Sequence, residues 1–183
     1  MEKISTLMTM IAMAVLSFSF VSCDEDAEIG YTLEGTWKGN MYVSSTYSGR
    51  TYDATYSEID FTSGIWVDYY SNAPYDYIAN HITWTVNNGT IYVHFVEENT
   101  DIRIFDYSLS DYYFSGSIYS GNQTVDFRLT HTSSPNWSGY YYYGYDDWYN
   151  SWDSGYYARG YNDAMSRSVK PQVEAPKRVF RTK

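Results

Sequence analysis

One cysteine, Cys23, stands in a chain of 183 residues, so no internal disulfide braces the fold. Histidine is almost as scarce. His81, His94 and His131 are scattered without a close pair. No H-E-x-x-H, no CxxC and no phosphate-cradling glycine loop is present, so no metal or cofactor is expected. Bases are few: 12 Lys and Arg against 22 Asp and Glu, a formal net charge of −10. Such an acidic chain repels phosphate backbones, so nucleic acid is not an expected partner. The apolar stretch Leu7 to Leu16 falls short of the ~20 residues that span a bilayer, and no later segment is apolar enough to do so. Helical periodicity is also missing, and no amphipathic helix of useful length is predicted.

What the chain does have is an export address at one end and an abundance of aromatics, 20% of all residues. Lys3 gives a positive start, and the short apolar stretch follows it. Ser19-Phe20-Val21-Ser22-Cys23 then resembles the lipobox of bacterial lipoproteins. The resemblance implies cleavage before Cys23, lipidation of that cysteine with palmitate-type acyl chains, and membrane attachment without a transmembrane helix. Several acyl chains hold stably, whereas one holds only marginally at ~0.8 kcal/mol per buried methylene. Lipidation also removes a thiol that would be a liability in an oxidising compartment. The run Asp24-Glu25-Asp26-Ala27-Glu28 resembles the tag that sends lipoproteins of the Bacteroidota type to the outer face of the outer membrane. In enteric-type sorting, an aspartate after the cysteine favours inner-membrane retention instead. Residues 23–32 would then be an acidic linker; a solvated, repulsive spacer is the plainer alternative, but the four-acid run and the tyrosine-rich body favour the Bacteroidota-type reading.

Cleavage would leave 161 residues, enough for one domain plus tails. From Asp24 to Asp163, 20 acids face 5 bases; from Met165 to Lys183, 6 bases face 1 acid. The body is acidic and the end basic.

From Leu33 to Thr132 the pattern has period two. Trp37, Met41 and Val43 share a face. Ile59 and Phe61 follow, then Ile65, Val67 and Tyr69 opposite Trp66, Asp68 and Tyr70. Next come Ile82, Trp84 and Val86, then Ile91, Val93 and Phe95, then Ile102 and Ile104. Tyr112, Phe114 and Ile118 precede Val125, Phe127 and Leu129. Asn87-Asn88-Gly89 marks a tight hairpin turn, because Asn and Gly tolerate positive φ. About eight short strands joined by short turns predict an all-β, eight-stranded antiparallel up-and-down barrel, which removes exposed sheet edges.

Leu33-Glu34-Gly35-Thr36-Trp37-Lys38-Gly39 resembles the opening strand of lipocalin-like (calycin-type) barrels, where a Gly-x-Trp places an indole at the barrel floor. Lipobox, acidic run and Gly-x-Trp together resemble small lipocalin-like lipoproteins of Bacteroidota. The resemblance covers Leu33 to Thr132 and implies a floor role for Trp37. Such barrels commonly lay an arginine of the last strand across that tryptophan. Here Arg128 alternates away from Phe127 and Leu129, so it packs from outside unless a bulge shifts the face.

No catalytic residues are expected. Glu58, Asp60 and Asp68 fall by alternation on the polar face, and Asp146-Asp147 lies in low-complexity sequence. Binding is the better expectation. An eight-stranded barrel either fills its interior or keeps one small-ligand cavity. Trp37, Tyr69, Trp84, Phe95, Phe114 and Phe127 are the candidates to fill the core or line that cavity.

After Pro135 the periodicity dissolves. Residues 133–164 read as a flexible Tyr/Trp-rich extension, with Trp137, Trp148, Trp152 and nine tyrosines from Asn136 to Asp163. Its aromatics lean on the barrel or form a sugar-stacking surface. Residues 165–183 read as a basic disordered tail. Two functions stay open. One is a surface-exposed, membrane-anchored barrel that binds a small apolar molecule or glycan. The other is a structural lipoprotein whose filled barrel docks a protein partner through its aromatic surface.

Overall fold

The computed structural model describes residues 25–120, 123–143 and 176–181. Residues 1–24, with the export signal and Cys23, lie outside the described residues, as do 144–175. The expected barrel is present. Strands β1 (Thr36–Asn40), β4 (Tyr56–Asp60), β5 (Ile65–Tyr69), β6 (Tyr77–Asn87), β7 (Thr90–Phe95), β8 (Thr100–Leu109), β9 (Tyr113–Ser120) and β10 (Gln123–Thr132) pair antiparallel in one closed ring. Closure comes from β1, which lies between β10 and β4 with Trp37 opposite His131 on one side and Ile59 on the other. The alternation read from sequence is the physical basis: inward residues such as Ile91, Val93 and Phe95 are buried while Tyr92 between them is exposed. Asn88 and Gly89 take the positive φ values of 49° and 70° that a two-residue hairpin needs.

Three additional elements close the barrel's ends. Residues 25–33 form a helix, α1, which corrects both the expectation of no useful helix and the reading of residues 23–32 as a mere linker. Leu33 is fully buried, Ile29 packs on the core, and Asp26 accepts the backbone N–H groups of Asn88 (2.9 Å) and Gly89 (2.8 Å). Part of the acidic run is thus a tie between helix and barrel. Gly35 turns the chain from α1 into β1 at φ 106°, where a side chain would be strained. Its N–H donates to Thr62 Oγ1 at 2.8 Å.

At the other end the first strand does not run on through Val43, as its apolar pattern suggests. The chain breaks at Met41-Tyr42, with Tyr42 at φ 51°, and makes a hairpin of β2 (Val43–Tyr47) and β3 (Arg50–Asp53). The third strand of this small sheet is β11 (Lys177–Phe180), antiparallel to β2. This corrects the expectation that residues 165–183 are disordered: Pro176 to Arg181 is built into the fold.

Packed side chains fill the interior. Near α1, Phe114 meets Trp37, Phe61 and Phe127 edge-on at centroid distances of 5.7, 6.3 and 4.9 Å. Near the β2–β3 hairpin, Trp66 meets Phe95 at 5.0 Å and Phe180 at 6.2 Å. Ile59, Ile78, Ile91 and Ile104 are fully buried between and around these groups. Edge-to-face packing of this kind adds about 0.5–1.5 kcal/mol per pair beyond area burial.

Candidate functional site

The most unusual chemistry lies where β11 crosses the mouth of the barrel. Alternation along β11 turns Arg178 and Phe180 inward, and the Arg178 side chain is only 3% exposed. Its Nη1 lies 3.0 Å from Asp68 Oδ2, its Nε donates to Glu98 Oε1 at 3.1 Å, and its Nη2 donates to Asn80 Oδ1 at 2.6 Å. The guanidinium sits 4.3 Å from the Phe95 ring centroid. Asp68 is oriented from below: its Oδ1 accepts from Ser57 Oγ at 2.6 Å and from Trp66 Nε1 at 2.9 Å.

Two buried carboxylates meet one guanidinium here, so the cluster carries excess negative charge. Burial pushes the Glu98 carboxyl above the usual range, although Arg178 pulls the other way. Burial alone would lower the Arg178 pKa, yet Asp68 and Glu98 outweigh it and hold the group above its ordinary value. Asn80 is fully buried, and its Nδ2 has no hydrogen-bond partner among the described residues.

A second arrangement covers the outer wall. On β5, both faces are largely apolar. The structure turns Trp66, Asp68 and Tyr70 toward the interior cluster and leaves Ile65, Val67 and Tyr69 outside. Tyr69 is therefore not an inward residue, and Asp68 is not on the outer face. Ile65, Val67 and Ala79 are buried beneath Tyr69, Tyr77, Trp137, Tyr140 and Tyr142. Residues 137–143 lie across this wall as a strap. Trp137 Nε1 donates to Asp60 Oδ2 at 2.8 Å, and Tyr143 N to Ala79 O at 2.8 Å. The Tyr142 ring stacks on His81 at 3.7 Å, and His81 Nδ1 pairs with Glu97. Asp60 stays below its ordinary value: burial opposes this, but the Ser63 N–H and the Trp137 indole outweigh it. Glu58 pairs with Lys38 at 2.9 Å and accepts from Tyr69 Oη at 2.7 Å. The first residues of the aromatic extension are thus a structural cover; the rest of it, with Asp146-Asp147, lies outside the described residues.

Of the other sequence candidates, Trp37, Phe95, Phe114 and Phe127 are buried in the core. Trp84 is half-buried at the α1 end, where its Nε1 donates to Phe61 O at 2.9 Å. Trp37 Nε1 donates to Leu33 O at 2.9 Å, and the His131 ring packs against the indole at 4.9 Å. Arg128 is exposed on the outside over Tyr113, 5.2 Å from its ring centroid. The three histidines stay apart: His94 pairs with Asp101 at 2.8 Å, His81 lies under Tyr142, and His131 is at the floor. Arg178, Glu98 and Asn80 were not singled out in sequence. The only hint was a basic end on an acidic body.

Comparison with protein-family models, with curated proteins and with solved structures finds no match to this chain. What the arrangement can do therefore rests on its own geometry. The mouth holds a planar cation between two carboxylates, an amide and an aromatic face, which is a recognition geometry. A shallow depression of about 360 Å³ on the outer wall, lined by Tyr92, Asp101, Arg103 and Tyr119 among others, is open to solvent.

Proposed function

We propose that this chain is an exported, lipid-anchored, non-catalytic interaction protein, a solid barrel that works through its exterior and its mouth. The observation that carries this reading is the filled interior. Trp37, Trp66, Phe95 and Phe114 are at most 1% exposed, α1 closes one end, and the β2–β3 hairpin with β11 closes the other. An interior ligand would have to displace these side chains, so binding of a small apolar molecule or glycan inside the barrel is the less favoured reading.

The anchor is the lipidated Cys23 of the lipobox-like run, and the expected address is the outer membrane with the barrel at the cell surface. Glu25, the first described residue, already lies in helix α1 and stands two positions after Cys23. Two residues reach at most ~7 Å, so the tether holds the α1 end against the bilayer and directs the mouth away from it.

Titration of the full chain with fatty acids, bile-acid-like amphiphiles and oligosaccharides tests the reading, followed by tryptophan fluorescence and Tm. A solid barrel predicts no saturable change from the interior tryptophans. Stoichiometric quenching with a rise in Tm would overturn it. The anchor has its own test: Cys23→Ser should release the chain from the membrane fraction and remove the acyl mass.

A further inference from the structure

The groups that hold Arg178 all belong to the barrel. Asp68 is on β5, Asn80 on β6, Phe95 on β7, and Glu98 in the turn that follows β7. Together they form a cradle of two carboxylates, one amide oxygen and one aromatic face, and the guanidinium meets all four: it hydrogen-bonds Glu98 and Asn80, pairs by charge with Asp68 and lies over Phe95. An ammonium group would not span them, because it is a point charge without the planar fork. Vacated, the cradle leaves buried carboxylates unpaired beside an Asn80 amide whose Nδ2 has no partner among the described residues. Such a cradle is a built site, and Arg178 is its occupant.

The backbone of β11 is held just as a bound peptide would be. It adds to the edge of β2, with Arg178 opposite Ser45 and Phe180 opposite Val43. Arg178 and Phe180, two residues apart, point into the mouth; Phe180 is 4% exposed and rests on Trp66. The segment is joined to the barrel strands only through residues 144–175. The chain leaves and returns at one place, since Tyr143 Oη donates to Pro176 O at 2.8 Å.

We propose that the barrel mouth is a receptor site for an extended peptide segment carrying arginine and, two residues on, an aromatic residue, and that β11 is its cis ligand. The receptor is the β2 edge with Asp68, Asn80, Glu98 and the rings of Trp66 and Phe95. A segment of another protein with the same pattern competes with β11 for it. This goes beyond the anchor and the filled barrel, and it stands whether or not Cys23 carries lipid.

The test severs the tether after folding. A specific protease site is introduced within residues 144–175 of the full chain, and the folded protein is cleaved. The expected result is that the C-terminal piece stays bound on gel filtration. A labelled synthetic peptide of residues 176–183 then replaces it saturably, and the Arg178→Ala and Phe180→Ala peptides bind about 100-fold and 10-fold more weakly. An Arg178→Lys peptide restores little. Loss of the piece on cleavage with no binding of the peptide would overturn the proposal. So would an Arg178→Ala peptide that binds within about threefold of the unaltered one. Circular dichroism of the cleaved chain separates loss of the ligand from loss of the barrel. The ligand titration of the intact barrel reads a different region, so the two readings fail independently.

Discussion

Arg178 and Asp68 face each other at 3.0 Å with side chains 3% and 0% exposed, where the C-terminal strand meets the barrel wall. Removing one partner leaves the other's charge stranded. Arg178→Met is expected to destabilise the chain by about 3–5 kcal/mol. Adding Asp68→Asn and Glu98→Gln to it removes the stranded charges and is expected to recover more than half of that loss. Urea unfolding of the three-step series checks this. A loss under about 1 kcal/mol for Arg178→Met would place the pair among weak surface ion pairs instead.

The same cluster gives the chain a pH dependence of definite sign. Glu98 is raised on folding by burial, so its contribution to stability is present below the unfolded value of 4.5 and is lost as pH rises through its folded value. Asp60 has the opposite sign. Despite burial, the bonds it accepts from Ser63 and Trp137 lower it, so its contribution is present above 3.8 and lost as pH falls through its folded value. Glu98→Gln should remove the decline above pH 4.5, and Asp60→Asn the decline below pH 3.8. Urea midpoints measured from about pH 2 to pH 8 follow both. A Glu98→Gln curve parallel to that of the unaltered chain above pH 4.5 would contradict the first assignment.

The strap's worth can be read at Trp137. Trp137→Ala removes the indole bond to Asp60 and uncovers Ile65, Val67 and Ala79. The expected loss is about 2 kcal/mol, because the ring is half-buried rather than enclosed. Tyr141, 46% exposed, serves as the control. Tyr141→Ser should change stability by no more than about 0.5 kcal/mol. Equal effects at the two sites would mean that the strap contributes nothing specific.

Gly35 and Gly49 separate backbone strain from crowding. Both have positive φ, 106° and 72°, but a Cβ at Gly35 would lie 2.4 Å from His131 Nε2, whereas at Gly49 nothing lies within 4 Å. Gly49→Ala should cost about 1 kcal/mol. Gly35→Ala should cost clearly more, about 2–3 kcal/mol, and His131→Ala should relieve part of it. Thermal unfolding of the four variants decides the matter.

These contrasts also explain what was legible in the sequence. The eight barrel strands were, because strands with one wet face alternate cleanly: Ile91, Val93 and Phe95 against Tyr92 and His94. The face of β5 was not, because Ile65 and Val67 on one side are as apolar as Trp66 on the other; the covering strap decides which side is core. The β2–β3 hairpin escaped because Val43-Ser44-Ser45-Thr46-Tyr47 carries little apolar patterning, although Ser44 and Ser45 end up buried. The described part of α1 is acidic, and its apolar residues Ile29 and Leu33 give a single stripe. Arg178 was hidden by its surroundings. Within a basic tail, nothing local marks one arginine as buried, because its partners Asp68, Asn80 and Glu98 come from distant strands and turns.

The most direct test of a barrel closed by its own C-terminal strand is amide hydrogen exchange of the full chain, read over residues 176–181 and 43–47. Protection is expected in both segments, since Val179 pairs with Ser44 and Lys177 with Thr46. Arg178→Met should speed exchange in both while Val125 to Leu129 in β10 stays protected. Free exchange over 176–181 in the unaltered chain, with β2 protected only on its β3 side, would contradict the closed mouth and everything built on it.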